Sequence, residues 1–384
     1  MKILHIASFN GNIGDNANHI GFRKLFSNLL LENVEWTNLE IRNFYKSWNI
    51  MKFNDNFVEY INNFDLCIIG GGNFFEICHS YSVTGTTIDI SKEILEKIKT
   101  PIFFNGLGFD TIRGFTEETK EKFKKFTEYL LENPQKYFVS FRNDGSKKNF
   151  EALYGKWDSR IKVVADGGFF INMTINENIF HLKQIKQNYI GINIAMDEHK
   201  KIQEVSRADF IDKIVNFIND FIFKYPNYKI KFFPHIFSDI KIIYEILEKV
   251  SDKLIKYNIE IMPYLTGMEN TTKFYLEYLN CKLILGMRFH TNVVGMSLNI
   301  PTIGLVSYSK MRDLYEEVDL TTRIIDIKNE EFNKEILRKV TESLENETLL
   351  KKEYKEKMNI VKEKQEKIYE DLKKWIIEIN GENK

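Results

Sequence analysis

CKLILGMRFHTNVVGMSLNIPTIGLVSYSK, residues 281–310, decides the fold class. Its apolar run Cys281–Gly286 is nearly continuous, as a strand covered on both faces of a parallel sheet must be. Arg288 and His290 follow in the turn, a helix of small residues runs from about 290 to 298, and a second apolar strand occupies 301–306. A strand, a helix and a strand in so short a span form one unit of a parallel α/β sheet.

The same alternation extends in both directions. Toward the N-terminus, strands are predicted at 2–9, 34–41, 65–69, 101–105, 137–141 and 161–165, with helices over Asp15–Leu31, 91–99, 117–132 and 144–153. After a polar, aperiodic stretch at 172–188 it restarts, with strands at 189–195, 228–233 and 257–262 and helices at 206–224, 238–250 and 269–278. The reading is therefore two consecutive Rossmann-like domains, 1–180 and 181–328, with a ligand cleft between them. Residues 329–384 form a C-terminal helical extension, because Tyr354, Met358, Val361, Ile368, Leu372, Trp375 and Ile379 recur at helical spacing. Such a helix straps back onto the domains; the alternative is a helix lying on a membrane surface, which the interleaved glutamates disfavour.

Composition excludes several classes. The 384 residues exceed what one core usually spans, and 43% hydrophobic with 28% charged residues is globular rather than disordered. Lys plus Arg equals Asp plus Glu at 54 each, so the overall field gives no sign of nucleic-acid binding and any anion site is local. Cys67, Cys78 and Cys281 lack metal-site or disulfide spacing. The N-terminus turns polar too early for a secretory signal, and no apolar run approaches the ~20 residues of a membrane span. A cytoplasmic protein is expected, with peripheral contact at the inner face of the membrane left open.

Arg288 and His290 stand at a strand end beside a helix N-terminus. There an arginine offers a planar fork for carboxylate or phosphate, and a histidine can donate to the same anion or move a proton. Two cations at a positive helix end are unfavourable unless an anion compensates them. The plainer alternative is an arginine paired with a nearby carboxylate and a histidine that merely caps the turn. In NGNIGDNANH (10–19), residues Asn10, Gly11, Asn12 and Gly14 form a flexible turn suited to close backbone approach to a ligand, and Asp15 serves as helix cap or ligand contact. In IIGGGNFFE (68–76), the three glycines Gly70, Gly71 and Gly72 make either an anion nest or a structural turn. His79, Arg142, Asp144, Asp166, His235, Tyr308 and Lys310 follow predicted strands, where cleft roles compete with ordinary capping and core roles.

These residues resemble the polysaccharide pyruvyl transferase family. The likeness rests on NxGDxA (Asn12, Gly14, Asp15, Ala17), Gly70–Gly72, NGLGFD at 105–110, Arg142–Asp144–Ser146 and Asp166. It continues through GINIA at 191–195, FFPHxxxD at 232–239, GxRxH, PxIGL and YSxK, covering about residues 1–320 in order. Gly167 and Gly168 depart from it, since the family commonly has proline after the aspartate, and the lysine- and glutamate-rich tail lies outside it. The resemblance implies a GT-B-like fold and transfer of pyruvyl from phosphoenolpyruvate to two hydroxyls of a sugar, giving a cyclic ketal and phosphate. It further implies donor binding by Arg288, His290, Arg142, His235, Lys310 and Tyr308. The acid that protonates the donor's methylene carbon is His290, with His79 or His235 in reserve, and Asp15 accepts or orients the acceptor hydroxyl. Asn12, Gly14, Asn16, Gly71, Gly72, Asn73 and Asp166 contact substrate. No metal ligand set and no obligatory cofactor beyond phosphoenolpyruvate as co-substrate is expected. The partner is a sugar or glycan acceptor, lipid-linked or free. Two other readings of the same fold are a nucleotide-sugar glycosyltransferase and a non-catalytic carbohydrate-binding protein.

Overall fold

A computed structural model describes residues 1–30, 33–172, 188–196 and 205–381. It contains two six-stranded sheets in which every pairing is parallel. The first holds β1 (Lys2–Ala7), β2 (Glu35–Glu40), β3 (Leu66–Gly70), β4 (Ile102–Leu107), β5 (Tyr137–Arg142) and β6 (Lys162–Val164), in the order β2-β1-β3-β4-β5-β6. The second holds β7 (Tyr189–Asn193), β8 (Lys229–Phe232), β9 (Ile259–Ile261), β10 (Cys281–Gly286), β11 (Thr302–Val306) and β12 (Ile324–Asp326), in the order β12-β11-β10-β7-β8-β9. Counted from β7, the second order is the doubly wound 3-2-1-4-5-6. The central strands β1, β3, β4, β7, β10 and β11 are buried nearly end to end, which is why they read as apolar runs without alternation.

Both sheets reverse their strand order once, and ligands of open α/β sheets bind outside the carboxyl ends of the strands at that reversal. In the first sheet the reversal lies between β1 and β3, where the early turn and the glycine triplet begin. In the second it lies between β7 and β10, which end at Asn193 and Gly286. Arg288 and His290 therefore stand at a reversal point.

The chain divides into two compact units, and each is discontinuous in sequence. The first comprises Met1–Phe9, Leu25–Asp166 and Lys362–Lys384; the second comprises Asn10–Lys24 and Gly167–Val361. This corrects the contiguous division at 180 and 328 in two places. Residues 10–24 join the second unit because Ile13 and Ala17 are buried with Tyr275, Tyr278 and Ile284. Two backbone ties fix the turn as well: the Gly11 amide donates to Thr266 Oγ1 at 3.2 Å and the Ile13 amide to the His235 carbonyl at 3.2 Å. The tail straps back as expected, but it is divided between the units at 361 and 362. Phe332, Ile336 and Val340 lie in the core of the second unit. Farther on, Gln365 Oε1 accepts the Ala165 amide at 2.8 Å, and Trp375 Nε1 donates to the Pro134 carbonyl at 2.8 Å within the first unit. All but the two ends of the junction expected at 172–188 lies outside the described residues.

Among the described residues, no helix is long and apolar enough to cross a membrane. Cys67 and Cys281 are buried as expected, and burial pushes both thiols up from their ordinary values.

Candidate functional site

In the second unit, two helix N-termini converge. The helix Ile13–Leu30 begins beside the helix Phe289–Ser297, whose cap is Arg288. Gly14 lies so close to His290 that an added Cβ would stand 2.7 Å from its Cβ and 2.8 Å from its Nδ1. The Asn12 side chain holds this turn by accepting the Gly14 amide at 2.9 Å. Asp15, on the same first turn, places Oδ1 3.7 Å from Nδ1 of the buried His290. The two segments therefore meet in a contact between Asp15 and His290. Asn16 is buried on the next position, and neither atom of its amide finds a hydrogen-bond partner among the described residues. Buried amides are rarely left so, and the common explanation is a bound group or water.

Arg288 is placed differently from the sequence expectation. Its Nε donates to Asp239 Oδ2 at 2.8 Å and an Nη donates to Oδ1, so the fork grips a fully buried carboxylate of the protein. Asp239 also accepts the backbone amides of His235 and Ile236, at 2.9 and 3.3 Å. Asp239 is thus a carboxylate partner of Arg288, and the plainer alternative for Arg288 holds. The Arg288 amide is fixed to Asn193 Oδ1 at 3.0 Å, which ties the end of β7 to the end of β10.

His235 likewise has a structural position. Its Nε2 lies 3.0 Å from Tyr278 Oη and 3.2 Å from Thr291 Oγ1, while its carbonyl accepts the Ile13 amide. It joins the two helix starts. Complete burial, reinforced by the nearby Arg288 and His290 charges, holds this imidazole well below the usual histidine range. A neutral His235 is a poor proton donor, which corrects its place as a reserve acid. Lys310 is buried, with its ammonium 6.0 Å from the centre of the Phe289 ring. Tyr308 is half-buried and caps the helix Ser309–Glu317.

The first unit gathers a separate polar cluster. Arg142, expected to face a donor anion, is buried between Asp144 and Asp166: Nε reaches Asp144 Oδ2 at 2.8 Å and Nη1 reaches Asp166 Oδ2 at 3.1 Å. Asp166 is correspondingly a partner of Arg142. Ser146 Oγ donates to Asp144 and accepts the Phe109 amide at 2.8 Å. Asn73 Nδ2 donates to Asp110 Oδ2 at 2.8 Å. In the glycine triplet, Gly71 takes φ +84°, which a side chain would resist, and its amide donates to the Asn105 carbonyl at 2.9 Å. Gly72 accepts the Gly108 amide at 2.9 Å, so the triplet is stitched to the end of β4 as a structural turn.

A third cluster was not expected. Glu76, Cys78 and His79 bring one ligand atom each within 4.8 Å of one another, and Arg113 Nε pairs with Glu76 Oε1 at 3.1 Å. Burial, with Glu76 adding to it, pushes the Cys78 thiol up to about 11, and burial with the Arg113 charge lowers His79. Asp239 and Glu76 stand four after His235 and three before His79, within FFPHxxxD and IIGGGNFFE, but the sequence alone assigns neither a site role.

Gly167 explains its own departure from the usual proline. Its amide donates to Asn18 Oδ1 at 3.0 Å, which proline cannot do, and a Cβ there would meet the Asn18 carbonyl at 2.2 Å.

A model of the family described as Polysaccharide pyruvyl transferase matches residues 12–309. No curated protein sequence matches the chain. Among solved structures, the S. aureus MnaA–UDP co-structure aligns with TM-score 0.54 at 12% identity, covering 92% of this chain and 90% of that one. UDP-GlcNAc 2-epimerase from Neisseria meningitidis bound to UDP-GlcNAc aligns with TM-score 0.50 at 13% identity, covering 89% and 100%. At such identities the likeness concerns the fold, which is the GT-B-like α/β class.

Proposed function

This chain belongs to the polysaccharide pyruvyl transferase family, a family of transferases, and from that premise we propose that it moves a pyruvyl group from phosphoenolpyruvate onto a sugar. The observation that carries the reading is the convergence of two helix N-termini on the Asp15–His290 pair. Helix starts present unpaired amides and the positive end of the dipole, the recognition a donor with a phosphate and a carboxylate needs. Arg288 adds its charge, and its pairing with Asp239 fixes the guanidinium plane rather than reaching for the ligand.

His290 gives its proton to the methylene carbon of the donor, turning it into a methyl group while one sugar hydroxyl bonds to the adjacent carbon. Asp15 lies beside Nδ1 and steers the ring so that Nε2 is the donating nitrogen. The second hydroxyl then displaces phosphate from that same carbon, closing a cyclic ketal. The hydroxyl protons leave to Asp15 and solvent. The product is a pyruvylated sugar of a surface polysaccharide or its precursor, formed with no obligatory metal.

The test is phosphate release from phosphoenolpyruvate across a panel of free and lipid-linked sugars. Release that depends on an acceptor supports the proposal; none across the panel contradicts it. Thermal shifts separate the nucleotide-sugar reading: phosphoenolpyruvate raises the melting temperature and nucleotide sugars do not.

A further inference from the structure

The loop that follows β3 carries a set of chemically active side chains within the first unit. Its backbone is held by its own hydrogen bonds. The Phe75 amide donates to the Gly108 carbonyl at 3.1 Å, and the His79 amide donates to the Gly85 carbonyl at 3.1 Å. Thr84 Oγ1 donates to the Ile88 carbonyl at 2.7 Å and contacts Thr86 Oγ1 at 2.9 Å. The scaffold therefore presents residues 76–79 in a defined arrangement.

Three different donor types meet there: the carboxylate of Glu76, the thiol of Cys78 and the imidazole of His79, with ligand atoms within 4.8 Å of one another. Nε2 of His79 is buried and has no hydrogen-bond partner among the described residues, which leaves this imidazole nitrogen available for a ligand. Glu76 is buried as well, so its charge needs compensation; Arg113 supplies part of it from a half-exposed position.

We propose that Glu76, Cys78 and His79 form a divalent transition-metal site that takes Zn²⁺, with its fourth position left to water or a ligand oxygen. A sulfur and a nitrogen donor beside one carboxylate select zinc over calcium or magnesium, which require oxygen ligands. Tetrahedral bonds of ~2.0–2.3 Å put ligand atoms about 3.3–3.8 Å apart, so small side-chain rotations close the set. The charges also balance: on binding, the Cys78 thiol passes its proton to solvent, and thiolate plus carboxylate neutralise the dication. Arg113 is then surplus and turns outward.

Cobalt(II) is the probe. The full chain, stripped with a chelator, is titrated with Co²⁺ and followed by the near-ultraviolet thiolate-to-cobalt charge-transfer band. One equivalent is expected to bind, and Zn²⁺ displaces it. Cys78→Ser abolishes the band, His79→Gln weakens binding at least about tenfold, and Arg113→Ala tightens it. A variant-free measurement stands beside these: Zn²⁺ protects Cys78 of the unaltered chain from alkylation, read by mass spectrometry. No band at one equivalent, a band that survives Cys78→Ser, or equal alkylation with and without Zn²⁺ overturns the site.

Discussion

Replacing Gly14 by alanine tests the contact between the two helix starts. The new methyl would lie 2.7 Å from His290 Cβ, 2.8 Å from Nδ1 and 2.9 Å from Cγ. Carbon atoms pack at about 3.5–4.0 Å, so one partner must move by roughly 1 Å. The atoms met include the root of the imidazole, which cannot swing aside as a chain end does. Gly14 is not in a left-handed conformation, so its backbone accepts alanine. Overpacking costs about 1–3 kcal/mol, offset by up to about 1 kcal/mol of helix preference. Stability is therefore expected to fall by only ~0–2 kcal/mol. A displacement of about 1 Å in a reacting group lowers the rate about 100-fold, equivalent to ~2.7 kcal/mol. Urea denaturation and acceptor-dependent phosphate release on the same preparation separate the two. Gly14→Ala with an unchanged rate would refute the placement of His290 against this turn.

Asp239→Asn should destabilise by about 3–5 kcal/mol, because it removes the buried carboxylate charge that the Arg288 guanidinium grips; urea midpoints measure this. Arg288→Lys should cost about 1.5–3 kcal/mol, since an ammonium cannot reproduce two parallel bonds to Asp239, and a stability equal to the parent's would contradict the pairing. His235 has a depressed pKa in the folded state, so the unfolded chain takes its proton first as the pH falls. Its contribution to stability is complete above about pH 6.5 and is lost below, with a slope of up to ~1.4 kcal/mol per pH unit. His235→Gln should flatten urea midpoints between pH 7.5 and 5.5 relative to the parent. Trp375→Ala should cost about 3–5 kcal/mol, as the ring packs against Phe138 and donates to the Pro134 carbonyl; a loss under 1 kcal/mol would show the tail helix to be dispensable.

The sequence made the two parallel sheets legible because central strands must be apolar on both faces, and the runs at Leu66–Gly70, Ile102–Leu107 and Cys281–Gly286 are. It did not reveal β12, three residues of IID in a polar setting, or the helices Asp55–Ile61, Asp252–Asn258 and Ser309–Glu317, which are too short or too polar for a clear period. Strand-end position placed Arg288 and His290 at the reversal point of the second sheet. What pattern could not supply was partnership across the chain. Asp239 meets Arg288 only once β7, β8 and β10 are side by side, and Asp166 meets Arg142 only through the pairing of β5 with β6. The crossing of residues 10–24 into the second unit has the same cause: Gly21 and Gly167 touch at a distance only glycine permits.

The central claim is that His290 protonates the methylene carbon of phosphoenolpyruvate beside Asp15. Running the reaction in D₂O with a competent acceptor and examining the ketal methyl by NMR tests it directly. The unaltered chain should yield a methyl carrying one deuteron with equimolar phosphate, and His290→Gln should form it about 10²–10⁴-fold more slowly while remaining folded. A folded His290→Gln that forms the deuterated ketal at the parent rate would contradict the claim.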